Sequence, residues 1–390
     1  MSMDKDMFDP SSYRNVRLAT LEAETLPPWC YTSRKFFDRE VDRVFKTAWN
    51  FIGREDEVAS AGDYMALELV GEPVAIVRGK DGKVRAFANT CRHRGTRMLQ
   101  DRGNCRVISC PYHGWAYGLD GALVGTPGME KTRNFDRADY GLVPLRLESW
   151  DGFLFLTFDG GSPDLKSYLG DLPEKLASHS LPDMVCVRRR EYDLACNWKI
   201  YLENAMEEYH TPTVHKASIG KQATVREKSR GQWDGMHMPA AKTIALLPED
   251  IDAAFPPIPS LRGKAAAGTY FIAIYPCTFF AVTQDCMWWH QEFPIAPNRT
   301  KVVIGSCFPR ETVARSDFAD RVTRYYRRWD KSLPEDNAIS EAQQAGLSSS
   351  FSRPGRLSFH ESVVHDIAKW VLDRVLDEAR LVASKRVMER

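Results

Sequence analysis

Two short segments, Cys91-Arg-His93 and Cys110-Pro-Tyr-His113, constrain this 390-residue chain more than any other feature. Each offers one thiolate and one imidazole at a spacing that a tight loop brings to a common point, and sixteen residues lie between them. One reading is a tetrahedral zinc site, which uses the same residue types. The other is a sulfide-bridged pair of irons, in which two thiolates suit a ferric iron. Two neutral imidazoles on the second iron lower the negative charge and raise the potential above that of an all-cysteine cluster. Gly95 and Gly114, shortly after the two histidines, let the backbone turn so that amide N–H groups face the sulfur atoms.

A frame that holds two such loops side by side has to be rigid. From Trp49 to about Phe158, short β-branched and aromatic runs (YMALELV, EPVAIVR, VRAFANT, RVISC, GFLFLTF) alternate with turn signals such as GKDGK and GLDGA, as in a compact antiparallel β domain. Before it, Ser33 reads as the N-cap of a helix through KFFDREVDRVFKTAW, with Phe36, Phe37, Val41, Val44 and Phe45 on one side. After it, GGSPDLKSYLG reads as a linker.

The second half mixes elements. CNWKIYLENAMEEYH has helical periodicity, while GTYFIAIYPCTFFAVTQDCMWWHQEF and TKVVIGSCF read as long strands with alternating faces. Two helices follow, SDFADRVTRYYRRWD and, after Pro334, EDNAISEAQQAGL. A last amphipathic helix, ESVVHDIAKWVLDRVLDEARLVA, ends the fold. The expected class is α+β in three pieces: a helical segment over 1–45 packing on the last domain, a β domain over 46–160, and a mixed domain over 161–390.

Composition removes several classes of function. Lys plus Arg number 53 against 52 Asp plus Glu, with no block of like charge, so nothing asks for nucleic acid. No run of about 18 apolar residues is present, and the polar, acidic start MSMDKDMFDP is unlike a signal peptide. A soluble cytoplasmic enzyme is expected, without a membrane partner. Nine scattered cysteines fit reduced thiols better than a disulfide framework. A nucleotide-binding glycine fingerprint is absent, so any reductant has to arrive through a partner.

CRHRG and CPYHGWAYG match the Rieske pattern beyond the four ligands, which favours the cluster over zinc. NWK...EN...YH...H adds a second signature. The chain resembles the α subunits of Rieske non-haem iron oxygenases over nearly its whole length, in the branch similar to carnitine and glycine betaine monooxygenases. The respiratory Rieske proteins carry an extra cysteine where Thr96 stands, and a hydroxyl near the cluster where Trp115 stands; an oxygenase-type, lower-potential cluster is implied. The resemblance further implies a [2Fe-2S] cluster on Cys91, His93, Cys110 and His113, and a helix-grip catalytic domain, an antiparallel sheet with helices, that carries a mononuclear Fe(II).

Such iron takes two imidazoles and one carboxylate on one face. His210 and His215 are the imidazole candidates, although alone they read more readily as surface or core histidines. Five residues apart on an ideal helix they would diverge by about 140°; Pro212 is expected to break the ladder and let them converge. Asp336 resembles the family's aspartate ahead of a helix ending in Q-x-G-L, with Pro334 at the first helical position and Ile339 and Gln343 on its face. The alternatives are a carboxylate that complements the helix dipole, or Glu335 as the ligand. Glu207, three residues before His210 and so on the same helical face, is the candidate carboxylate bridge to His113 of an adjacent subunit. Glu208 is expected to be a solvated charge, and Asn204 either to line the iron site or to be a packed polar residue. His179, His237, His290, His360 and His365 read as structural.

The implied partners are a separate NAD(P)H-dependent flavin/iron-sulfur reductase or a ferredoxin, O2 and a small organic substrate, in a head-to-tail homotrimer or a multiple of it. Monooxygenation, by hydroxylation or oxidative demethylation, is expected from the glutamate at 207. The alternatives are cis-dihydroxylation of an aromatic ring in aromatic compound catabolism, and an electron carrier with a vestigial second site. Thr211, Phe279 and Trp288 are pocket candidates. An aromatic cage of Phe279, Phe280, Trp288 and Trp289 would suit a methylated ammonium, although alternation sends only one of the two tryptophans inward.

Overall fold

The computed structural model describes residues 7–377; the first six residues, and the end of the last expected helix from 378 onward, lie outside them. The chain separates into two compact units, residues 51–162 and residues up to 50 together with those from 163 onward. No helix among the described residues is long and apolar enough to cross a membrane.

The smaller unit is built of β1 (Asn50–Arg54), β2 (Asp63–Leu69), β3 (Glu72–Arg78), β4 (Val84–Ala88), β5 (Arg102–Asn104), β6 (Ile108–Ser109), β7 (Ala116–Tyr117), β8 (Leu123–Gly125), β9 (Pro144–Trp150) and β10 (Phe153–Thr157). They form a seven-stranded sheet, β1-β10-β9-β4-β3-β2-β5, and a three-stranded one, β6-β7-β8. Val77, Phe87, Leu99, Ile108, Trp115 and Tyr117 are buried in one cluster that also contains Cys91 and Cys110. The two cysteine loops therefore stand on packed core, which fixes where their side chains point.

The larger unit holds a seven-stranded antiparallel sheet in the order β11-β17-β16-β15-β14-β13-β12, made of β11 (Met184–Leu194), β12 (Val225–Glu227), β13 (Trp233–Pro239), β14 (Gly268–Ile274), β15 (Thr278–Val282), β16 (Met287–Ala296) and β17 (Arg299–Pro309). Helices α1 (Arg34–Glu40), α2 (Trp198–Ala205), α3 (Thr211–Val214), α4 (Phe318–Leu347) and α5 (Ser362–Val375) accompany it. Helix α2 packs on β15, β16 and α4, and α5 packs on β13 and α1.

Two expectations are corrected here, and one strand is added to those expected. The stretch 268–293 is three strands joined by turns rather than one, and β14 and β15 are buried at every position instead of alternating, because both faces of the sheet are covered. Edge strand β11, with the sequence MVCVRRREYDL, carries no apolar alternation: its arginines are held on both faces, Arg188 by Asp330 and Arg189 over the Trp289 ring. Residues 318–347 form one helix with Pro334 inside it, not two. The missing N–H and the ring at 334 cost a helical hydrogen bond; buried Trp329, Leu333, Asn337, Ser340 and Gln344 hold the helix together across that point.

Local signals explain the elements that bear the site. Ser33 Oγ accepts from Phe36 N at 3.3 Å and starts α1. Asn197 Oδ1 accepts from Lys199 N at 3.1 Å and starts α2. The Asn197 amide also donates to Pro297 O at 2.6 Å, tying the helix start to the β16–β17 turn. Lys199 Nζ meets Glu40 Oε1 at 2.6 Å with both side chains fully buried. Removing one partner of such a pair costs about 3–5 kcal/mol, since it strands the other charge. The lysine of the NWK motif thus clamps the N-terminal segment to the site helix.

Two candidate metal centres

The two cysteine loops share one backbone pattern. Cys91 N donates to Thr96 O at 2.8 Å and Gly95 N to Cys91 O at 2.8 Å, while Cys110 N donates to Trp115 O at 2.8 Å and Gly114 N to Cys110 O at 3.1 Å. Gly95 and Gly114 sit at φ +74° and +72°, a region that glycine enters without strain. The turns bring the His93 and His113 rings to a centroid separation of 4.7 Å. His93 lies flat on Trp115, 4.8 Å away with an interplanar angle of 10°.

Burial pushes the Cys110 thiol up, but backbone N–H groups of Tyr112 and His113 pointing at its sulfur outweigh that and hold it below the usual thiol range. A thiolate ligand is therefore favoured at Cys110. His93 Nδ1 is buried with no hydrogen-bond partner, which suits a lone pair reserved for a metal. The residues present fit a two-cysteine, two-histidine cluster. Trp115 stands at the position read from the sequence, and a hydroxyl reaches the site from elsewhere, Tyr117 OH lying 3.4 Å from Cys91 Sγ.

The second centre stands between α2, α3 and α4. His210 Nε2 and His215 Nε2 lie 3.5 and 3.0 Å from Asp336 Oδ1, and the three ligand atoms fall within 4.8 Å of one another. Asp336 Oδ1 is buried and makes no properly directed hydrogen bond, so three electron-pair donors face one point rather than satisfy each other. On the outer side, His210 Nδ1 meets Glu207 Oε1 at 2.6 Å, and His215 Nδ1 meets Glu335 Oε2 at 2.7 Å. Carboxylates at both Nδ1 atoms leave Nε2 as the inward lone pair, the arrangement that orients metal-binding imidazoles. Burial pushes His210 down, but Asp336 and Glu207 together lift it to about 9, and His215 is raised likewise. A cation between the three groups would relieve that negative potential, and the donor set fits Fe(II).

How the chain reaches this geometry differs from expectation. Helix α2 ends at Ala205, and His210 and His215 are the N-cap and C-cap residues of the four-residue α3. Pro212 therefore starts a helix instead of breaking one, where its missing N–H is tolerated. Glu207 reaches His210 through a turn, its Oε2 accepting from His210 N at 3.0 Å, not along a helical face. Asp336 lies well inside α4, so complementing a helix dipole in the first turn is excluded. Glu208 is buried, not solvated: its carboxylate accepts from Thr224 Oγ1 at 2.6 Å and meets His360 Nδ1 at 2.6 Å. Nothing in sequence joins residues 152 positions apart.

Asn204, Thr211, Phe279 and Trp288 all line the cavity beside this centre. Phe280 and Trp289 occupy the opposite face of the sheet; the Trp289 ring covers Gly305, where a Cβ would come within 2.1 Å of it. Sequence reasoning missed His290 and Arg328, which line the same cavity. Both ring nitrogens of His290 are buried without a partner, and burial pushes the imidazole down to about 3. His237 Nε2 and His365 Nε2 meet the backbone carbonyls of Lys264 and Val16 at 2.9 and 2.7 Å, and buried His179 packs edge-on against Tyr270.

Comparison with known proteins identifies both domains. The Rieske [2Fe-2S] domain family matches residues 48–136, and the catalytic domain of ring-hydroxylating alpha subunits matches residues 181–377. The carnitine monooxygenase oxygenase subunit of Escherichia coli K12 is 32% identical over 338 residues, covering 84% of this chain and 85% of that protein. The glycine betaine monooxygenase oxygenase subunit of Pseudomonas aeruginosa PAO1 is 25% identical over 394 residues, covering 90% and 89%. The crystal structure of a quaternary ammonium Rieske monooxygenase in complex with substrate gamma-butyrobetaine matches with a TM-score of 0.76 at 26% identity, over 90% of this chain and 95% of that one. A chain with a Rieske [2Fe-2S] domain and a mononuclear-iron catalytic domain takes its electrons from a separate reductase, and this one belongs to the Rieske non-haem iron oxygenases, as a ring-hydroxylating α subunit.

Proposed function

We propose that this chain is the terminal component of a cytoplasmic monooxygenase. Cys91, His93, Cys110 and His113 hold the cluster, His210, His215 and Asp336 hold the iron, and electrons arrive from a flavin/iron-sulfur reductase or a ferredoxin. The observation that carries the reading is the convergence of two imidazoles and one carboxylate on a single point beneath a cavity, each imidazole backed by a second carboxylate. Fe(II) bound there supplies O2 activation. The reaction balances as substrate C–H, O2, two electrons and two protons giving C–OH and water. Where the hydroxylated carbon bears nitrogen or oxygen, the product collapses to an amine or alcohol and an aldehyde. The relatives matched over most of their length are named monooxygenases, which supports transfer of one oxygen atom instead of two.

Glu207 fits the role of relay in a head-to-tail homotrimer. Its carboxylate holds His210 through both oxygens and keeps 13% exposure, which is the part assigned to His113 of an adjacent subunit. Tyr209 and Phe359 are exposed near this face. Single turnover of the chemically reduced protein under labelled O2 tests the proposal: one labelled oxygen in the product, and three irons to two sulfides per chain, are expected. Two labelled oxygens, or two irons per chain, would overturn it.

A further inference from the structure

Arg328 is a buried cation with no ion-pair partner, the Asp336 carboxylate acting on it only from a distance. It is 5% exposed and lines the cavity that contains His210, His215 and Asp336. Its Nε donates to Ile244 O at 3.0 Å, and its guanidinium lies over the Trp288 ring, 4.8 Å from the centroid. Among the described residues no carboxylate forms an ion pair with it. Two other buried cations are paired: Lys199 has Glu40 at 2.6 Å, and Arg54 has Asp56 at 3.2 Å. The neighbouring arginines Arg324 and Arg327 turn outward to Asp250. Burial pulls the Arg328 guanidinium down to about 10, which still leaves it charged at neutral pH.

An unpaired charge inside a fold is costly, and such groups are retained where they meet a ligand. One edge of this guanidinium is fixed by a carbonyl and one face by an indole, so the two terminal nitrogens remain as a preorganised fork of the kind that receives a carboxylate. We infer that Arg328 anchors a carboxylate on the substrate, so that the class oxidised is small organic acids, zwitterions included. This rests on the oxygenase reading and narrows it.

Arg328 and Asp336 are eight residues apart on α4, roughly 12 Å along the axis and about 80° around it. The anchor and the iron site therefore bracket the length of a small molecule, whose apolar body meets Phe271 and Phe279. The aromatic cage expected for a methylated ammonium loses one wall, because the Trp288 face is taken by Arg328. A cation lacking a carboxylate meets like charge there.

The test compares acids with their primary amides on the holoenzyme, using gamma-butyrobetaine and 4-methoxybenzoate as probes and calorimetric titration as readout. The expected result is that at least one acid binds about tenfold or more tighter than its amide. Arg328→Met should abolish that difference while keeping iron, cluster spectrum and melting temperature, since removing an unpaired buried charge does not destabilise a fold. Arg328→Lys, which keeps charge but loses the fork, should fall between. Equal binding of acid and amide, no binding of either acid, persistence of the preference in Arg328→Met, or a melting temperature lowered in both variants would overturn the inference. Product formation under O2, scored in parallel, separates the two readings. Amides oxygenated as well as acids sink the anchor and leave the oxygenase standing; acids bound through Arg328 without any product do the reverse.

Discussion

Glu335 Oε2 stands 2.7 Å from Nδ1 of His215, while the next residue, Asp336, places Oδ1 3.0 Å from Nε2 of the same ring. Two consecutive acids on α4 thus grip opposite edges of one imidazole. Glu335 also accepts from Ser218 Oγ at 2.5 Å, which commits it to the outer side.

Asp336→Ala should drop the iron content from three to two per chain, leave the cluster spectrum intact and abolish turnover, because two imidazoles alone hold Fe(II) poorly. Glu335→Ala should keep the third iron but lower its affinity about 10–100-fold, as loss of an orienting partner does. Iron analysis after dialysis against graded chelator checks both. Full iron in Asp336→Ala together with loss in Glu335→Ala would exchange the two roles.

Tyr117 OH accepts from Arg92 N at 3.0 Å, which leaves its proton free to point at Cys91 Sγ, 3.4 Å away. Hydrogen bonds to the sulfurs raise a cluster's potential. Tyr117→Phe should therefore lower the reduction potential without changing the electron paramagnetic resonance line shape. Redox titration monitored by that signal decides it, and an unchanged potential would remove the hydroxyl from any tuning role.

Glu203, on α2 beside the iron centre, accepts from Tyr31 OH at 2.9 and 3.1 Å, and burial pushes its carboxyl from 4.5 up to about 8. The folded state then holds the proton more tightly than the unfolded one. Its contribution to stability is complete below about pH 4.5 and is lost progressively as pH rises toward 8. Glu203→Gln keeps the shape and removes this loss. The variant should gain on the wild type between pH 6 and 8.5 by on the order of 1–2 kcal/mol, read as a widening gap in melting temperature. A constant gap across that range would show that the carboxyl titrates normally.

What could be read from sequence was local. Cys91, His93, Cys110 and His113 sit in two loops whose ligand spacing and turn glycines are contiguous, and His210 and His215 lie within six residues. What could not be read depends on distant contacts. Pro334 resembles a helix start until the packing of Trp329 and Leu333 carries α4 through it. The charges of β11 hide a strand because its arginines meet distant partners on both faces, Asp330 for Arg188 and Trp289 for Arg189. Nothing in RYYRRWD shows that Arg328 turns inward while Arg324 and Arg327 turn out to Asp250, and nothing near Glu208 announces His360. Glu207 was legible by its distance from His210, but the turn that joins them was not.

If electrons leave the cluster for the iron by way of Glu207, Glu207→Gln should interrupt their passage. Glutamine keeps the volume and weakens one charge-assisted hydrogen bond, the 2.6 Å contact to His210 Nδ1. Both metal centres and the oligomer should survive, and the reductase should still reduce the cluster at the wild-type rate. The measurement is reoxidation of the pre-reduced cluster after mixing with substrate and O2 in a single turnover, with Glu208→Gln as the neighbouring control. The account predicts reoxidation slower by orders of magnitude in Glu207→Gln, with product falling in step; reoxidation at the wild-type rate in that variant would contradict it.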